Sequence, residues 1–306
     1  MPQARQRSRW ALLGGLGGGL GVTQLVLGQV LNGAIIGAMY GIIALGITLT
    51  FGITGIVNFA LGEFMMIGAY ATYALAERGG LSYPVAVIPA CLIAAAAGYL
   101  SNKAFFRFTR NNLVNGLLVS IGLISIFESA AMLLWTATPV EMHFVLPGAL
   151  RVGDIGLPKM KLVVFGVIVV VIVATYLALA RTWLGRAAFA YAQNPEAAML
   201  MGVHTPRLES AVMLYSTGLA GLGGALYASL YSLEPAMGGV YVLKGMEAAI
   251  LGGIGSLMGS LWGGVILGVI EGVGSIFLPT AFRDAYGLAV LVAILLFRPS
   301  GLFGDE

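Results

Sequence analysis

Residues 181–207 read RTWLGRAAFAYAQNPEAAMLMGVHTPR and form a polar island between two long apolar runs, 162–180 and 210–233. Within it Asn194 is placed to cap a helix, Pro195 suits the first helical position, and Glu196 complements the positive end. Gly202 can close that helix about two turns later. The spacing therefore predicts a short capped helix lying outside a bilayer, between two spans. A rigid helix in that place offers a surface to a partner.

The composition around the island explains the bilayer. Hydrophobic residues make up 59% of the 306-residue chain and charged residues 9%, and mean hydropathy is +0.94, whereas roughly a quarter of a soluble protein's residues are charged. A span needs about 20 apolar residues. Apolar runs lie near 25–57, 58–76, 83–101, 113–135, 162–180, 210–233, 246–278 and 286–297. Two of them exceed one span, which gives about eight to ten membrane segments. None keeps a two-residue alternation, so helices are expected and not an outer-membrane barrel. The expected fold is an all-α polytopic membrane protein, a single domain over 1–306, with some segments broken or re-entrant.

Glycine recurs at four-residue spacing in Gly33, Gly37, Gly41, in Gly255, Gly259, Gly263 and in Gly264, Gly268, Gly272. Such stripes let helix backbones approach closely inside lipid, so tight packing is expected of them. The run 246–278 is too long and too glycine-rich for one plain helix, and Leu251-Gly252-Gly253-Ile254-Gly255-Ser256 is its expected break. Such a break serves either close packing or the exposure of backbone dipoles to a substrate.

Lys103, Arg107 and Arg110 carry no neighbouring acid, which places that loop in the cytoplasm. Crossing outward through 113–135 and back through 162–180 puts 181–207, with its own arginines, on the same side. The stretch Thr136–Lys161, with Pro139, Pro147, Gly148, Gly153, Asp154, Gly156 and Pro158, reads as an external loop with turns or a short hairpin. Arg5, Arg7 and Arg9 precede a glycine-rich apolar stretch without a clear small-residue cleavage site, so no cleaved signal is expected. Cys91 is the single cysteine and reads as a packed thiol. The net charge of +3 is too small and scattered for nucleic acid. His143 and His204 are too far apart to suggest a metal site, and nothing resembles a nucleophile with its base.

Four stretches together carry a resemblance. They are the Gln193–Val203 helix; Asn32-Gly33 with Tyr40 and Ala44-Leu45-Gly46; Gly52-Ile53 through Asn58-Phe59-Ala60-Leu61-Gly62-Glu63 to Met66-Ile67-Gly68-Ala69-Tyr70; and Lys244–Ala249 with Leu251–Ser256. In this order they resemble the branched-chain amino acid (LivH-type) permease family of ATP-driven importers, over roughly residues 25 to 303. The family's usual Asn-Phe-Ala-His-Gly-Glu motif has Leu61 in the histidine position here, which puts any role of that histidine in doubt and hints at a divergent substrate.

The resemblance implies a multi-pass subunit of the bacterial inner membrane. It implies pairing with a second, LivM-type permease, two cytoplasmic ATPase subunits and a periplasmic solute-binding protein. No Gly-x-x-x-x-Gly-Lys-Ser/Thr phosphate loop occurs in the chain, so ATP and Mg belong to the partner ATPases and the chain is not itself an enzyme. The segment of about 181–207 is then the coupling element. Asn194, Pro195, Ala197, Ala198 and Gly202 would shape its helix, Met199, Leu200 and Met201 would supply apolar contact, and Glu196 or Arg186 polar contact. The other reading of such a helix is one that rests on lipid headgroups.

Carboxylates inside a membrane cost about 2.5–3.5 kcal/mol on insertion scales, so each invites a role. Asn58 and Glu63 follow a Gly-Ile-Thr-Gly break and read as hydrogen-bonding groups at a helix start or as lining of a translocation path. Asn115, Ser120, Ser125 and Glu128 share one run, with Ser125 and Glu128 three apart on a face; they serve as interhelical glue or as path lining. Ser256 joins this candidate path. Glu247 is expected to pair with Lys244, and Glu271 to lie buried in its glycine stripe. Tyr215, Tyr227 and Tyr231 follow helical spacing only in part, and Tyr231, near the end of its span, is expected as an interfacial anchor. A self-sufficient channel or secondary transporter is the alternative function, but it would want a cluster of ionisable groups or paired broken helices.

Overall fold

The structure, a computed structural model, describes residues 20–55, 57–109, 112–143, 146, 148–152, 155–277, 279 and 282–304. Arg5, Arg7, Arg9, Arg110, Pro147, Gly153 and Asp154 lie outside the described residues. The first apolar run forms α1, Leu20–Thr54, whose 35 residues extend about 50 Å. From Ile35 to Thr50 nearly every α1 side chain is buried. A helix apolar on all sides belongs in the middle of a bundle, and α1 is the axis of this one.

The chain turns at Asn58–Ala60 into α2, Leu61–Tyr73, which continues as a π-helical turn, Ala74–Arg78. Then follow α3, Tyr83–Ala104; α4, Leu113–Trp135; a two-stranded antiparallel ribbon, β1 Ala149–Val152 with β2 Ile155–Pro158; and α5, Lys159–Arg181. The polar island folds as α6, Trp183–Gln193, and α7, Pro195–Leu200. The second half consists of α8, Thr205–Ala228; α9, Met237–Gly252; α10, Leu257–Phe277; and α11, Arg283–Phe297. Among the described residues six helices are long and apolar enough to cross a membrane: α1, α3, α4, α5, α8 and α10. The 13 residues of α2, 16 of α9 and 15 of α11 reach at most about 24 Å. These three are the short segments of the expected broken architecture.

The run 246–278 does break at the expected glycines. Gly253 and Gly255 take φ of 102° and 103°, which favour glycine, and α9 and α10 fold back side by side. Leu278 lies outside the described residues. Two carbonyls at the end of α9 are satisfied by the C-terminal segment: Leu302 N donates to Leu251 O at 2.9 Å and Phe303 N to Gly252 O at 3.1 Å. Helix ends need such partners when water is excluded.

The glycine stripes place these helices. A Cβ added to Gly268 would strike the backbone of Gly33 and Gly37, one on Gly264 that of Gly41 and Gly37, and one on Gly272 that of Gln29. Thus α1 and α10 touch backbone to backbone, while Gly259 and Gly263 receive the α9 backbone at Gly252 and Ala248. Gly68 meets Gly221 of α8 in the same manner. By contrast α4 and α5 are peripheral: Leu133 is 87% exposed and Val170 67%, as expected of surfaces that face lipid.

The two ends of the bundle differ in charge. The loop after α3, the α6–α7 segment, the α9–α10 turn and the segment after α11 share one end, which carries Lys103, Arg107, Arg181, Arg186, Arg207 and Arg298. Among the described residues the opposite end carries as many cations, Arg78, Arg151, Lys159, Lys161, Lys244 and Arg283, but sets them among Glu77, Glu141, Glu234, Glu247, Glu271 and Asp284, whereas the first end has Glu196 and Glu209. At the other end Val140 bridges to Leu233, and Glu77 accepts from the His143 N–H at 2.6 Å.

Gly268→Val is expected to destabilise the protein by about 1–3 kcal/mol or more, since the backbones it would part have nowhere to go. Gly122→Ala, where no atom lies within 4 Å of an added Cβ, is expected to be neutral or stabilising by up to about 1 kcal/mol. Thermal unfolding in detergent measures both.

Candidate functional site

The polar island is built by local capping. Thr182 Oγ1 accepts from Gly185 N at 3.2 Å and starts α6; an added Cβ at Gly185 would strike the Leu179 backbone, so only glycine lets α6 turn back this tightly beneath α5. Asn194 Oδ1 accepts from Ala197 N at 3.0 Å, with Pro195 at the first position and Glu196 in the first turn of α7. Gly202, at φ +89°, closes the helix while Val203 N reaches Ala198 O at 3.0 Å. A six-residue helix is too short to persist by itself. Its caps and the burial of Ala198 (4% exposed) hold it in place.

That anchoring leaves an apolar tip exposed: Leu200 is 89% exposed and Met201 87%, with Met199 half-exposed beside them. Arg186, Asn194, Pro195, Glu196, Ala197 and Gly202 are exposed too. Sequence reasoning missed α6. Its residues Ala-Ala-Phe-Ala-Tyr-Ala carry no obvious polar pattern, and the available signal was Thr182 three residues ahead of Gly185.

The segment leads into the bundle through α6. Phe189 helps wall a cavity of about 590 Å³, together with Tyr176 of α5, Ser256 at the α9–α10 turn and Ser300. On its other side Phe189, with Ala188 and Ala192, faces Thr48 and Gly52 of α1 and Leu257 of α10. The α6 helix is therefore a wedge between the end of α1 and the α9–α10 turn. Ser256 lines this cavity and also caps α10, its Oγ accepting from Gly259 N at 3.1 Å.

The remaining candidate path residues do not form one surface. Asn58 is buried, its Oδ1 accepting from Ala60 N at 3.0 Å and its Nδ2 lying 3.6 Å from Met213 Sδ. It borders a small polar void with Thr50, Asn102 and Glu209, room for about one water. Leu61, in the position of the family histidine, is fully buried and lies against Gly46 and Ser216. Glu63 packs against Gly238 in the first turn of α9, and its Oε2 is buried with no hydrogen-bond partner among the described residues. On α4, Glu128 is half-buried. Ser120 is buried but bonds the Leu117 carbonyl at 2.7 Å, while Asn115 and Ser125 are exposed. Helical spacing puts Ser125 and Glu128 near one face but does not say how far that face is covered.

A charge cluster is the feature sequence reasoning saw only in part. Lys244 Nζ lies 3.2 Å from Glu247, as its spacing suggested, and also 2.8 Å from Glu271 Oε1 and 2.9 Å from Asp284. Arg283 Nε donates to Glu271 Oε2 at 2.8 Å, and Tyr40 donates to the same oxygen at 3.1 Å. Glu271 is fully buried, and its network ties α9, α10, α11 and α1 together. Tyr227 and Tyr231 stack at 4.9 Å, and Tyr227 meets Tyr241 edge-on at 4.8 Å. Tyr215 donates to Thr175 at 2.7 Å. Tyr227 is thus an internal packing group, and Tyr231, just past the end of α8 and half-buried, stacks on it. Among the described residues no group of three or more His, Cys, Asp or Glu is placed to hold a metal ion.

Comparison with known proteins places the whole chain in one family. Residues 29–298 match the family described as "Branched-chain amino acid transport system / permease component". The high-affinity branched-chain amino acid transport system permease protein BraD of Pseudomonas aeruginosa is 31% identical, covering 91% of this chain and 95% of its own. LivH of Escherichia coli K12, a permease protein with the same description, is 30% identical with the same coverage. The fructose import permease protein FrcC of Rhizobium meliloti is 25% identical over 89% of this chain and 76% of its own. No solved structure matches.

Lys244→Ala, which takes the cation from Glu271 Oε1 and Glu247 while Arg283 and Tyr40 still meet Glu271 Oε2, is expected to cost about 1.5–3 kcal/mol. Lys244→Met, Glu271→Leu and Arg283→Met together, which remove the buried acid with both of its cations, are expected to recover most of that loss. Denaturant unfolding in detergent reads both.

Proposed function

From the membership of this chain in the branched-chain amino acid transport system permease family, we propose that it forms part of the path of an ATP-driven importer for branched-chain or related amino acids. The partners proposed are a second, LivM-type permease, two cytoplasmic ATPases that bind ATP and Mg, and a periplasmic binding protein, in the inner (plasma) membrane of a bacterium. The chain is the membrane component and contains no phosphate loop. Hydrolysis therefore belongs to a partner.

The observation that carries this reading is the capped α7 with Leu200 and Met201 almost fully exposed at the end of the bundle proposed as cytoplasmic. Exposed apolar side chains on a fixed helix suit a groove in a partner protein. The ATPases would close on ATP, draw α7 and α6 with them, and shift the wedge at Phe189 against the α9–α10 turn. Energy enters because the ATP-bound partners prefer one of two membrane states. With few charged groups free to line a path, solute choice would rest largely on the binding protein.

In the reconstituted assembly, Leu200→Asp or Met201→Asp is expected to cut binding-protein-stimulated ATP turnover and ATPase co-purification at least tenfold, with membrane insertion retained. If no ATPase co-purifies with the unaltered chain and solute flux survives both changes, the chain is a self-sufficient transporter.

A further inference from the structure

A second cavity, of about 360 Å³, opens between α2, α3 and α4 near their outer ends. Its size falls within the range of small-ligand pockets, about 300–1,000 Å³. Met66, Ile67, Phe127 and Leu134 make its walls apolar, with Tyr70 and Trp135 at one side. The Tyr70 and Trp135 rings lie 4.9 Å apart. Tyr70 is 1% exposed, and neither its hydroxyl nor Trp135 Nε1 has a hydrogen-bond partner among the described residues. Buried tyrosine and tryptophan ordinarily find one. A water needs two to four polar partners, and these apolar walls offer it little else.

The surroundings identify the occupant. The helix that forms the outer wall, α4, turns Leu118, Ile126, Leu133 and Leu134 outward, each more than half exposed, so the crevice is flanked by bilayer. Trp135 is the last residue of α4, at the level where tryptophan and tyrosine sit among headgroups. We propose that the crevice holds one phospholipid of the outer leaflet. An acyl chain lies along Met66, Ile67 and Phe127, and the ester carbonyl at its head accepts from Tyr70 and Trp135.

The chain has four tryptophans; Trp10→Phe, Trp183→Phe and Trp262→Phe leave Trp135 as sole reporter. The purified full-length chain in detergent is titrated with phosphatidylethanolamine carrying a dibrominated acyl chain, which quenches a neighbouring indole. The expected result is saturable quenching at one lipid per chain, weakened about fivefold by Tyr70→Phe and lost in Ala130→Phe, which fills the crevice. Quenching that rises without saturating, or saturates equally in both variants, overturns the proposal. So does saturable quenching that disappears when a partner permease is bound, since the crevice would then be a protein interface.

Discussion

The backbone contact between α1 and α10 is the constraint on which the other placements depend. Lipid tails are as apolar as leucine, so helices in a membrane gain little from hiding apolar side chains and associate through packing and polar contact. Here Gly33 and Gly37 meet Gly264 and Gly268 with no side chain between them, which permits dispersion and Cα–H···O contact along several turns. Because α10 presents Gly259 and Gly263 to α9 as well, three helices share one close-packed unit. Sliding any of them would drive a carbonyl into a neighbour's backbone.

This packing carries Glu271 into the interior, and the charge cluster is its consequence. A lone carboxylate there would be costly, and Lys244, Arg283 and Tyr40 meet its two oxygens from three other helices. The cluster also explains how α9 and α11, too short to cross alone, hold their positions. Each contributes a cation to the same buried acid. Such a network contributes more to specifying one arrangement than to net stability.

Much of this was legible in the sequence where the signal is local. Asn194, Pro195 and Gly202 marked α7 because caps act within a few residues, and the glycines at 252–255 marked the break because positive φ is a local demand. The glycine stripes announced close packing, although not which stripe meets which. What stayed hidden was long-range. Tyr40 and Glu271 are 231 positions apart, so their meeting depends on the α1–α10 contact and not on either one's neighbours. The start of α9 was obscured because Gly238, Gly239 and Lys244 interrupt the apolar run. On α4, periodicity grouped Asn115, Ser120, Ser125 and Glu128, but only the fold shows that much of that helix faces outward.

These constraints divide the molecule into a glycine-packed unit and the α6–α7 segment joined to it through Phe189, whose coupling role is the one proposed. Nitroxide distance measurements in a Cys91→Ser background test that division most directly. One pair would join Leu27→Cys on α1 to Phe277→Cys on α10, the other Ala197→Cys on α7 to Phe277→Cys, each read in the assembled transporter with and without ATP. The account predicts an unchanged α1–α10 distance while the α7–α10 distance shifts by several ångströms. Separation of α1 from α10 on ATP binding, with α7 fixed, would contradict it.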